Sequence, residues 1–301
     1  MAEIKKFALN KVHNIDCLEG LKQLPDNSID VIITSPPYNK AGYEGFIRKA
    51  HKSDDWKRRN IDYNGIAEND FMNEHDYRDW QIEILNECWR VLKSDGSLFY
   101  NHKVRIAKHL ASHPLEWCLQ TKLIFRQEII WDRGSSPAVA PIRFLPSTEM
   151  ILWFTKKRQQ PNFKRDLNTQ YKTEVFRINP EKNSVHPASY PEELVDAILV
   201  NIDNKGGEAI VLDPFAGSGT SIISAHKHGF KAIGFENIDK YVDYANNRIL
   251  KNYYDSGKWV SIISPHECEI CKELYNNKEN VEFEQLDMEE REHLAQLLCK
   301  G

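Results

Sequence analysis

The sequence lacks the long hydrophobic runs of a membrane protein, since no stretch approaches the roughly 18 consecutive apolar residues of a spanning helix. Its first residues, MAEIKKFALNK, are too polar for a secretory signal peptide. The six cysteines show no disulfide framework, so we expect a reduced, cytoplasmic protein. One Cys-x-x-C pair, Cys268 and Cys271, falls short of the four ligands of a structural zinc site even with distant Cys299, so we expect no metal.

The chain also lacks an overall positive charge: its net charge is −4, whereas proteins that bind a polyanion are commonly basic. The charge is unevenly distributed. Residues 40–60 and 156–177 each contain seven Lys or Arg, against three and two acidic residues, whereas residues 266–301 contain ten acidic residues against four basic ones. Because phosphate contact depends on the local field, either basic stretch is a candidate nucleic-acid contact or a solvated surface loop.

A string of small residues, DPFAGSGT at 213–220, follows an apolar run at 209–212 that predicts a short buried strand. A helix is predicted over 220–228, with Ser218 or Thr220 as its N-cap. Gly217 and Gly219 remove side chains that would keep a ligand away from the backbone. Two glycines alone also fit an ordinary strand-to-helix turn, so the longer string carries the argument.

A second string, TSPPY at 34–38, follows another predicted buried strand at 29–33. Its two prolines fix the backbone just past the strand end. A hydroxyl, carbonyl groups and an aromatic ring therefore project from one rigid corner. Taken alone, this string also fits a Pro-Pro turn that closes a strand.

Together the two strings resemble the S-adenosylmethionine-dependent DNA amino-methyltransferases, which methylate an exocyclic nitrogen of cytosine or adenine. The resemblance covers roughly residues 10–253, and the order of the strings is that of the β permutation class. It implies an α/β, Rossmann-like methyltransferase fold that is circularly permuted, with a mostly parallel sheet and helices on both faces. We predict a catalytic domain at 1–254, with a target-pocket flap at 39–75 and part of a DNA-recognition segment at 156–185. An acidic tail with a helix over 282–298 is predicted at 255–301.

The remaining predicted elements follow from apolar periodicity. Further strands are predicted at 11–15, 97–100, 123–131, 149–155 and 231–235, and further helices at 17–22, 75–92, 106–120, 192–202 and 239–252.

The resemblance assigns cofactor contacts to several positions. Asp16 would bind the adenine of the cofactor, although an acid after a strand is also a common helix N-cap. Glu236, an acid that ends a strand, would hold the ribose hydroxyls. An HPASYP element that begins at His186 would cover the methionine end. The predicted cofactor-binding residues are Asp16, His186, Pro187, Asp213, Pro214, Phe215, Gly217, Gly219, Thr220 and Glu236.

The tetrad Ser35, Pro36, Pro37 and Tyr38 would carry the catalysis. An exocyclic amine is a poor nucleophile because its lone pair is delocalised into the base. The Ser35 hydroxyl and the Pro36 carbonyl would accept its hydrogens, and Tyr38 would stack on the flipped base. In the family, S-P-P-Y goes mostly with N4 of cytosine and D/N-P-P-Y with N6 of adenine. We therefore predict N4-cytosine methylation, with N6-adenine as the alternative.

A catalytically silent DNA-binding relative is a further alternative, disfavoured because every cofactor and tetrad position is intact. No Pro-Cys nucleophile occurs, which disfavours C5 chemistry. The expected partners are double-stranded DNA and a cognate restriction endonuclease, in a prokaryotic cytosol. The predicted DNA-binding residues are Lys57, Arg58, Arg59, Trp131, Asp132, Arg133, Lys156, Lys157 and Arg158.

Overall fold

The computed structural model describes residues 4, 6–39, 72–107, 110–134, 144–181, 190–257, 270 and 282–300. The strands are β1 (Lys11–Asn14), β2 (Ile29–Thr34), β3 (Leu92–His102), β4 (Arg105–Ala107), β5 (Leu110–Ser112), β6 (Ile124–Asp132), β7 (Thr148–Thr155), β8 (Val175–Arg177), β9 (Ile210–Asp213) and β10 (Lys231–Glu236). The helices are α1 (Cys17–Gln23), α2 (Glu74–Val91), α3 (Leu115–Cys118), α4 (Glu192–Leu199), α5 (Thr220–Lys227), α6 (Asp239–Asp255) and α7 (Met288–Lys300), with 3-10 turns at Lys205–Gly207 and Phe283–Gln285.

Eight of the strands form one sheet in the order β1-β10-β9-β2-β3-β7-β6-β8. Strand β7 runs antiparallel to both of its neighbours, and the other pairings are parallel. The predicted circular permutation is confirmed, because the first strand of the chain, β1, pairs with the late strand β10. Strands β9 and β2, which lead into the two strings, are direct neighbours. Their carboxyl ends therefore lie side by side at one edge of the sheet, which we call the carboxyl edge.

Helices cover both faces of the sheet, as predicted. One apolar core lies between the sheet and α4, α5 and α6, and a second lies between the sheet and α1, α2 and α3. The predicted apolar stripe of α2 faces the second core, where Ile84, Leu85 and Cys88 are buried. In the ranges that the structure describes, no helix is long and apolar enough to cross a membrane.

The opposite, amino edge is held together by a buried carboxylate. Asp30 of β2 pairs with Lys93 at 2.7 Å and with Lys205 at 2.8 Å, and it accepts the backbone N–H of Ile210 at 2.9 Å. The two lysines and that N–H neutralise a charge that would be costly to bury alone. These contacts tie the start of β2 to the starts of β3 and β9, at the point where the register of β2 with β3 shifts between Ile29 and Val31.

The helix predicted over 106–120 is wrong. This stretch forms the β4–β5 hairpin followed by the single-turn helix α3. Its apolar residues do not form a buried helical stripe, since Ile106 is 40% and Leu110 is 74% exposed. Pro114 stands at the N-cap of α3, where its missing N–H costs nothing, and this confines the helix to the residues after it. Strand β8, inside the predicted recognition segment, was not predicted from the sequence.

The acidic C-terminal tail packs on the body of the protein. Phe283, Leu294 and Leu298 are buried in the same core as α4, α5 and α6. The ring of Phe283 lies 5.9 Å from that of Tyr254 on α6. The Asn10 amide donates to the carbonyl of Leu298 at 3.0 Å, which ties the tail to the N-terminal segment. The described part of the tail is therefore a structural layer of the domain.

We expect Leu294→Ala to lower the free energy of unfolding by about 2–5 kcal/mol, because the change leaves a cavity under a fully buried side chain. Met288→Ala on the same helix is the matched control: Met288 is 88% exposed, and its loss should change stability by less than about 0.5 kcal/mol. Urea unfolding of the full-length variants measures both. Equal stabilities of the two variants would contradict the docking of α7.

Candidate active site

The two strings predicted from the sequence meet at the carboxyl edge, and one acid joins them. Asp213, at the end of β9, is fully buried. Its Oδ1 accepts the Thr34 hydroxyl at 2.8 Å and the backbone N–H of Phe215 at 3.0 Å. Its Oδ2 accepts the hydroxyls of Tyr190 at 2.9 Å and Ser221 at 2.6 Å. Burial raises the pKa of Asp213, and these donors counteract the shift.

The four donors come from four segments: the strand before the tetrad, the DPFAGSGT loop, the residues just before α4, and helix α5. Asp213 thus fixes the loop and the tetrad relative to each other. It was predicted to contact the cofactor directly. Its full burial and its four protein donors argue against that contact and favour a supporting role beneath the site.

The loop between β9 and α5 has left-handed backbone at both glycines, with φ of 50° at Gly217 and 78° at Gly219. A Cβ on Gly219 would also meet Ile249 at 3.1 Å. Gly219 is the N-cap of α5 and provides no side-chain cap, so the prediction of Ser218 or Thr220 as the cap is wrong. Arg248 explains the difference, because its Nη1 binds the Ser218 carbonyl at 3.1 Å and the Thr220 hydroxyl at 2.8 Å.

Glu236, at the end of β10, lies against this loop. Its Oε2 accepts the Gly217 N–H at 3.2 Å, and its Oε1 accepts the backbone N–H groups of Asn237 and Ile238, each at 3.0 Å. Burial raises the pKa of Glu236, and the three N–H groups oppose that rise. The carboxylate stands beside the loop where the sequence placed it.

Asp16 caps α1, with Oδ1 accepting from the N–H groups of Leu18 at 2.8 Å and Glu19 at 3.2 Å. The helix-cap interpretation is therefore observed, while the cofactor contact stays a prediction. Pro214 is buried, and the half-buried ring of Phe215 lies edge-on to Trp80 at 5.7 Å. His186 and Pro187 lie outside the described residues.

The tetrad is held by a polar cluster of four side chains, the half-buried Ser35 and the buried Tyr38, Asn101 and Glu149. The Tyr38 hydroxyl lies 3.0 Å from Ser35 Oγ and donates to Glu149 Oε2 at 3.1 Å. Asn101 Nδ2 donates to Tyr38 at 3.0 Å and lies 3.3 Å from Ser35 Oγ. Burial, and next the charge of Glu149, raise the pKa of Tyr38 well above its usual value, so its hydroxyl keeps its proton.

The backbone of the tetrad is held by a second chain of contacts. The Tyr77 hydroxyl donates to the carbonyl of Pro37 at 2.8 Å and lies 2.9 Å from His102 Nε2. Because the carbonyl can only accept, the hydroxyl proton is used there and the imidazole N–H donates to Tyr77. The ring of His102 also packs against Tyr38, with centroids 4.5 Å apart. Tyr38 is only 8% exposed, and its stacking on a base stays a prediction.

Asn101, Glu149, Tyr77 and His102 were not predicted as site residues. Asn101 and His102 end the strand next to β2, and Glu149 begins the apolar strand β7. For Asn101, His102 and Glu149, the available signal was a polar residue directly beside an apolar run of a strand. The pairing of β7 with β3, which brings Glu149 to the tetrad, is a long-range contact that local periodicity does not encode.

The predicted base-pocket residues Trp131, Asp132 and Arg133 lie at the carboxyl edge, but their side chains contact protein. Trp131 is 3% exposed, and its indole N–H donates to the Ile178 carbonyl at 2.8 Å. Arg133 pairs with Glu149 at 2.7 Å. Asp132 Oδ1 accepts the Gly134 N–H at 3.0 Å. The burial of Trp131 argues against a direct DNA contact by that side chain.

The basic residues Lys156, Lys157 and Arg158 lie at the amino edge, because β7 runs opposite to the other strands of the sheet. Lys156 is seven residues beyond Glu149 along this strand, about 23 Å away. Its ammonium donates to Asn27 and to the carbonyls of Arg90 and Leu92, which closes the end of α2. Their placement at the edge opposite the tetrad argues against the predicted DNA contact by these three residues.

Lys57, Arg58 and Arg59, most of the predicted flap, and Cys268 and Cys271 lie outside the described residues. Within the described ranges, no group of three or more His, Cys, Asp or Glu side chains could hold a metal ion.

The chain matches known proteins in sequence and in fold. The family model described as DNA methylase, for N6 and N4 methyltransferases, matches residues 29–247. The chain is 29% identical over 276 residues to the type II methyltransferase M.BglII of Bacillus subtilis, covering 80% of this chain and 69% of that protein. It is 27% identical over 267 residues to the DNA adenine methyltransferase YhdJ of Escherichia coli, covering 78% and 80%.

The fold also matches a solved structure, the cytosine-N4-specific PvuII DNA methyltransferase. The TM-score is 0.60 at 18% sequence identity, and the match covers 91% of this chain and 96% of that one. The family match spans both strings and the strands that carry them. The chain therefore belongs to the DNA methylase family, the S-adenosylmethionine-dependent methyltransferases that act on exocyclic N6 or N4 nitrogens of DNA bases.

Proposed function

We propose that this enzyme transfers a methyl group to N4 of a flipped-out cytosine in duplex DNA, with the Ser35 hydroxyl as an acceptor for the amine. The observation that carries the proposal is the position of this hydroxyl. It follows β2, directly beside the loop that follows β9, and it is held by Tyr38 and Asn101. A small neutral acceptor at this corner suits the amine of a base and matches the S-P-P-Y form of the tetrad.

The residues at the carboxyl edge suit S-adenosylmethionine, which supplies an electrophilic methyl group on a sulfonium when bound. The left-handed glycines bring backbone N–H groups to the strand ends without side chains in the way. Glu236 stands half-buried beside Gly217, and a carboxylate in this place can accept a pair of ribose hydroxyls. Asp16 Oδ2 has a contact only to Cys17 Sγ, at 4.0 Å, among the described residues, so it can accept an adenine N–H.

Positioning supplies the chemistry. Ser35 Oγ and the Pro36 carbonyl accept the two amine hydrogens and localise the lone pair toward the donor methyl group. The carbonyl of the next residue, Pro37, accepts the Tyr77 hydroxyl, which holds the tetrad backbone beside Pro36. The buried surroundings exclude water and favour in-line transfer without a covalent intermediate. Bound S-adenosylmethionine would supply the methyl group, and the methylated amine would release one of its protons to solvent.

Adenine is the second candidate substrate. One relative at 27% identity is a DNA adenine methyltransferase, and its alignment covers most of both chains. A hydroxyl accepts an amine hydrogen from either base, so the Ser35 hydroxyl does not exclude adenine. The preference for cytosine rests on the S-P-P-Y pattern of the tetrad. The relative M.BglII is a type II methyltransferase. By analogy we propose a site-specific enzyme of a prokaryotic restriction–modification system, with a cognate endonuclease as its functional partner.

Mass spectrometry of nucleosides from DNA treated with the enzyme and S-adenosylmethionine tests the base assignment. We expect N4-methylcytosine, and Ser35→Ala should lower its rate of formation roughly 5- to 150-fold, since one hydrogen bond of about 1–3 kcal/mol is lost. Ser256→Ala, on the surface after α6, is the control and should keep the full rate. Formation of N6-methyladenine alone would overturn the cytosine assignment.

We further propose that the basic part of the segment at 39–75 binds DNA phosphates. Neutralising Lys57, Arg58 and Arg59 with Gln should weaken DNA binding and lower the slope of log affinity against log salt by roughly 2 to 3. Lys157→Gln with Arg158→Gln is the matched control, because these exposed cations lie at the amino edge. A binding titration over several salt concentrations measures the slope. Equal slopes for the wild type and the triple variant would contradict the assignment.

A further inference from the structure

The carboxylate of Glu149 is placed to control the hydroxyl groups of the tetrad. Glu149 is 8% exposed, and it enters the site from β7, the antiparallel strand. One carboxylate oxygen, Oε1, pairs with Arg133 at 2.7 Å. The other, Oε2, accepts from the Tyr38 hydroxyl at 3.1 Å, and Tyr38 in turn lies 3.0 Å from Ser35 Oγ. A carboxylate is thus connected to Ser35 through one intervening hydroxyl.

The direction of these hydrogen bonds follows from the group at which they end, the Glu149 carboxylate. An ionised carboxylate can only accept, so the single hydroxyl proton of Tyr38 points toward Glu149. The contact between Tyr38 and Ser35 then needs its proton from Ser35, whose hydroxyl donates to the Tyr38 oxygen. The Ser35 proton is therefore turned away from the substrate side, and its remaining lone pair is an acceptor.

Two further contacts maintain this direction. The Arg133 guanidinium can only donate, so it pairs the charge of Glu149 without competing for the Tyr38 proton. Asn101 Nδ2 lies 3.0 Å from the Tyr38 hydroxyl and 3.3 Å from Ser35 Oγ. Its two hydrogens can serve these two oxygens, and each oxygen is then an acceptor on that side. Hydrogen bonds aligned in one direction polarise one another, which increases the negative character of the Ser35 oxygen.

We propose that Glu149 is a positioning residue for methyl transfer, which acts through Tyr38 to present the Ser35 oxygen as an acceptor to the target amine. The inference rests on the proposed role of Ser35. It explains how a neutral hydroxyl can stand where other tetrads carry an aspartate: the negative charge is held one hydroxyl away, on Glu149. A free serine hydroxyl could turn its proton toward the amine, where the two hydrogens would repel each other. The hydrogen bonds from Ser35 through Tyr38 to Glu149 prevent this rotation.

Glu149→Gln tests the proposal because its amide has a forced orientation. Arg133 has no acceptor, so the amide oxygen must face Arg133 and the amide nitrogen must face Tyr38. The Tyr38 oxygen would then accept from the amide, and the Tyr38 hydroxyl would donate to Ser35 Oγ. The Ser35 proton would in turn point toward the substrate side. We expect kcat to fall roughly 10- to 100-fold, with unchanged affinity for S-adenosylmethionine in calorimetry and an unchanged KM for DNA. Glu208→Gln, the same change at an exposed position at the amino edge, should leave kcat unchanged.

A double-mutant cycle with Ser35→Ala separates this role from a structural one. In the Ser35→Ala background there is no hydroxyl to orient, so Glu149→Gln should lower kcat less than twofold further. A loss of the same factor in both backgrounds, or a parallel loss of cofactor affinity and thermal stability, would assign Glu149 to structure and overturn the proposal. An unchanged kcat in the single variant would also overturn it. The cycle uses whichever base the wild type methylates, so an error in the cytosine assignment does not affect its outcome.

Discussion

The site depends on a single buried carboxylate that has no cation beside it in the described part of the chain. Asp213 is stabilised by neutral donors: three hydroxyls and one backbone N–H at 2.6–3.0 Å. An unpaired buried charge is costly, and only a complete set of donors makes it tolerable. Each donor belongs to a different part of the site, so the four segments must come together for the carboxylate to have its full set of donors. This requirement couples the cofactor loop to the tetrad.

The pleat of the sheet explains why the polar residues meet. Ile33, Phe99, Ile151 and Val211 lie in the core beneath α4 and α5. On the same face of each strand, the residue two positions nearer the carboxyl edge is polar. These residues are Ser35, Asn101, Glu149 and Asp213. On this face of the sheet, the apolar core therefore gives way to the polar site within two residues on each of four strands. The apolar layer below keeps these side chains rigid and dry, which strengthens the hydrogen bonds between them.

The sequence was sufficient to predict the two strings, the permuted order and most strands, because buried strands have strong local periodicity and their ends carried the specific motifs. The sequence was insufficient where the position of a residue depends on which strands pair with each other. The antiparallel course of β7 brings Glu149 to the tetrad and places Lys156 at the amino edge. The acid that local periodicity assigns to a core strand therefore belongs to the site, and the lysine that was predicted to bind DNA lies away from it. The false helix at 106–120 had apolar residues at compatible spacing, but Ile106 faces solvent in a hairpin. The N-cap at Gly219 was missed because Arg248, far along the chain, occupies the neighbouring hydroxyl.

The measurement that tests this account most directly compares Asp213→Ala with Asp213→Asn in urea unfolding of the full-length protein. Alanine leaves four buried donors without an acceptor, and we expect the free energy of unfolding to fall by at least about 3 kcal/mol. Asparagine keeps an oxygen for Thr34 and Phe215, and its amide nitrogen can donate to the hydroxyls of Tyr190 and Ser221 once they rotate. Its cost should therefore be at least about 2 kcal/mol smaller than that of alanine. Two variants of equal stability would contradict the claim that hydrogen bonding by Asp213 holds the site together.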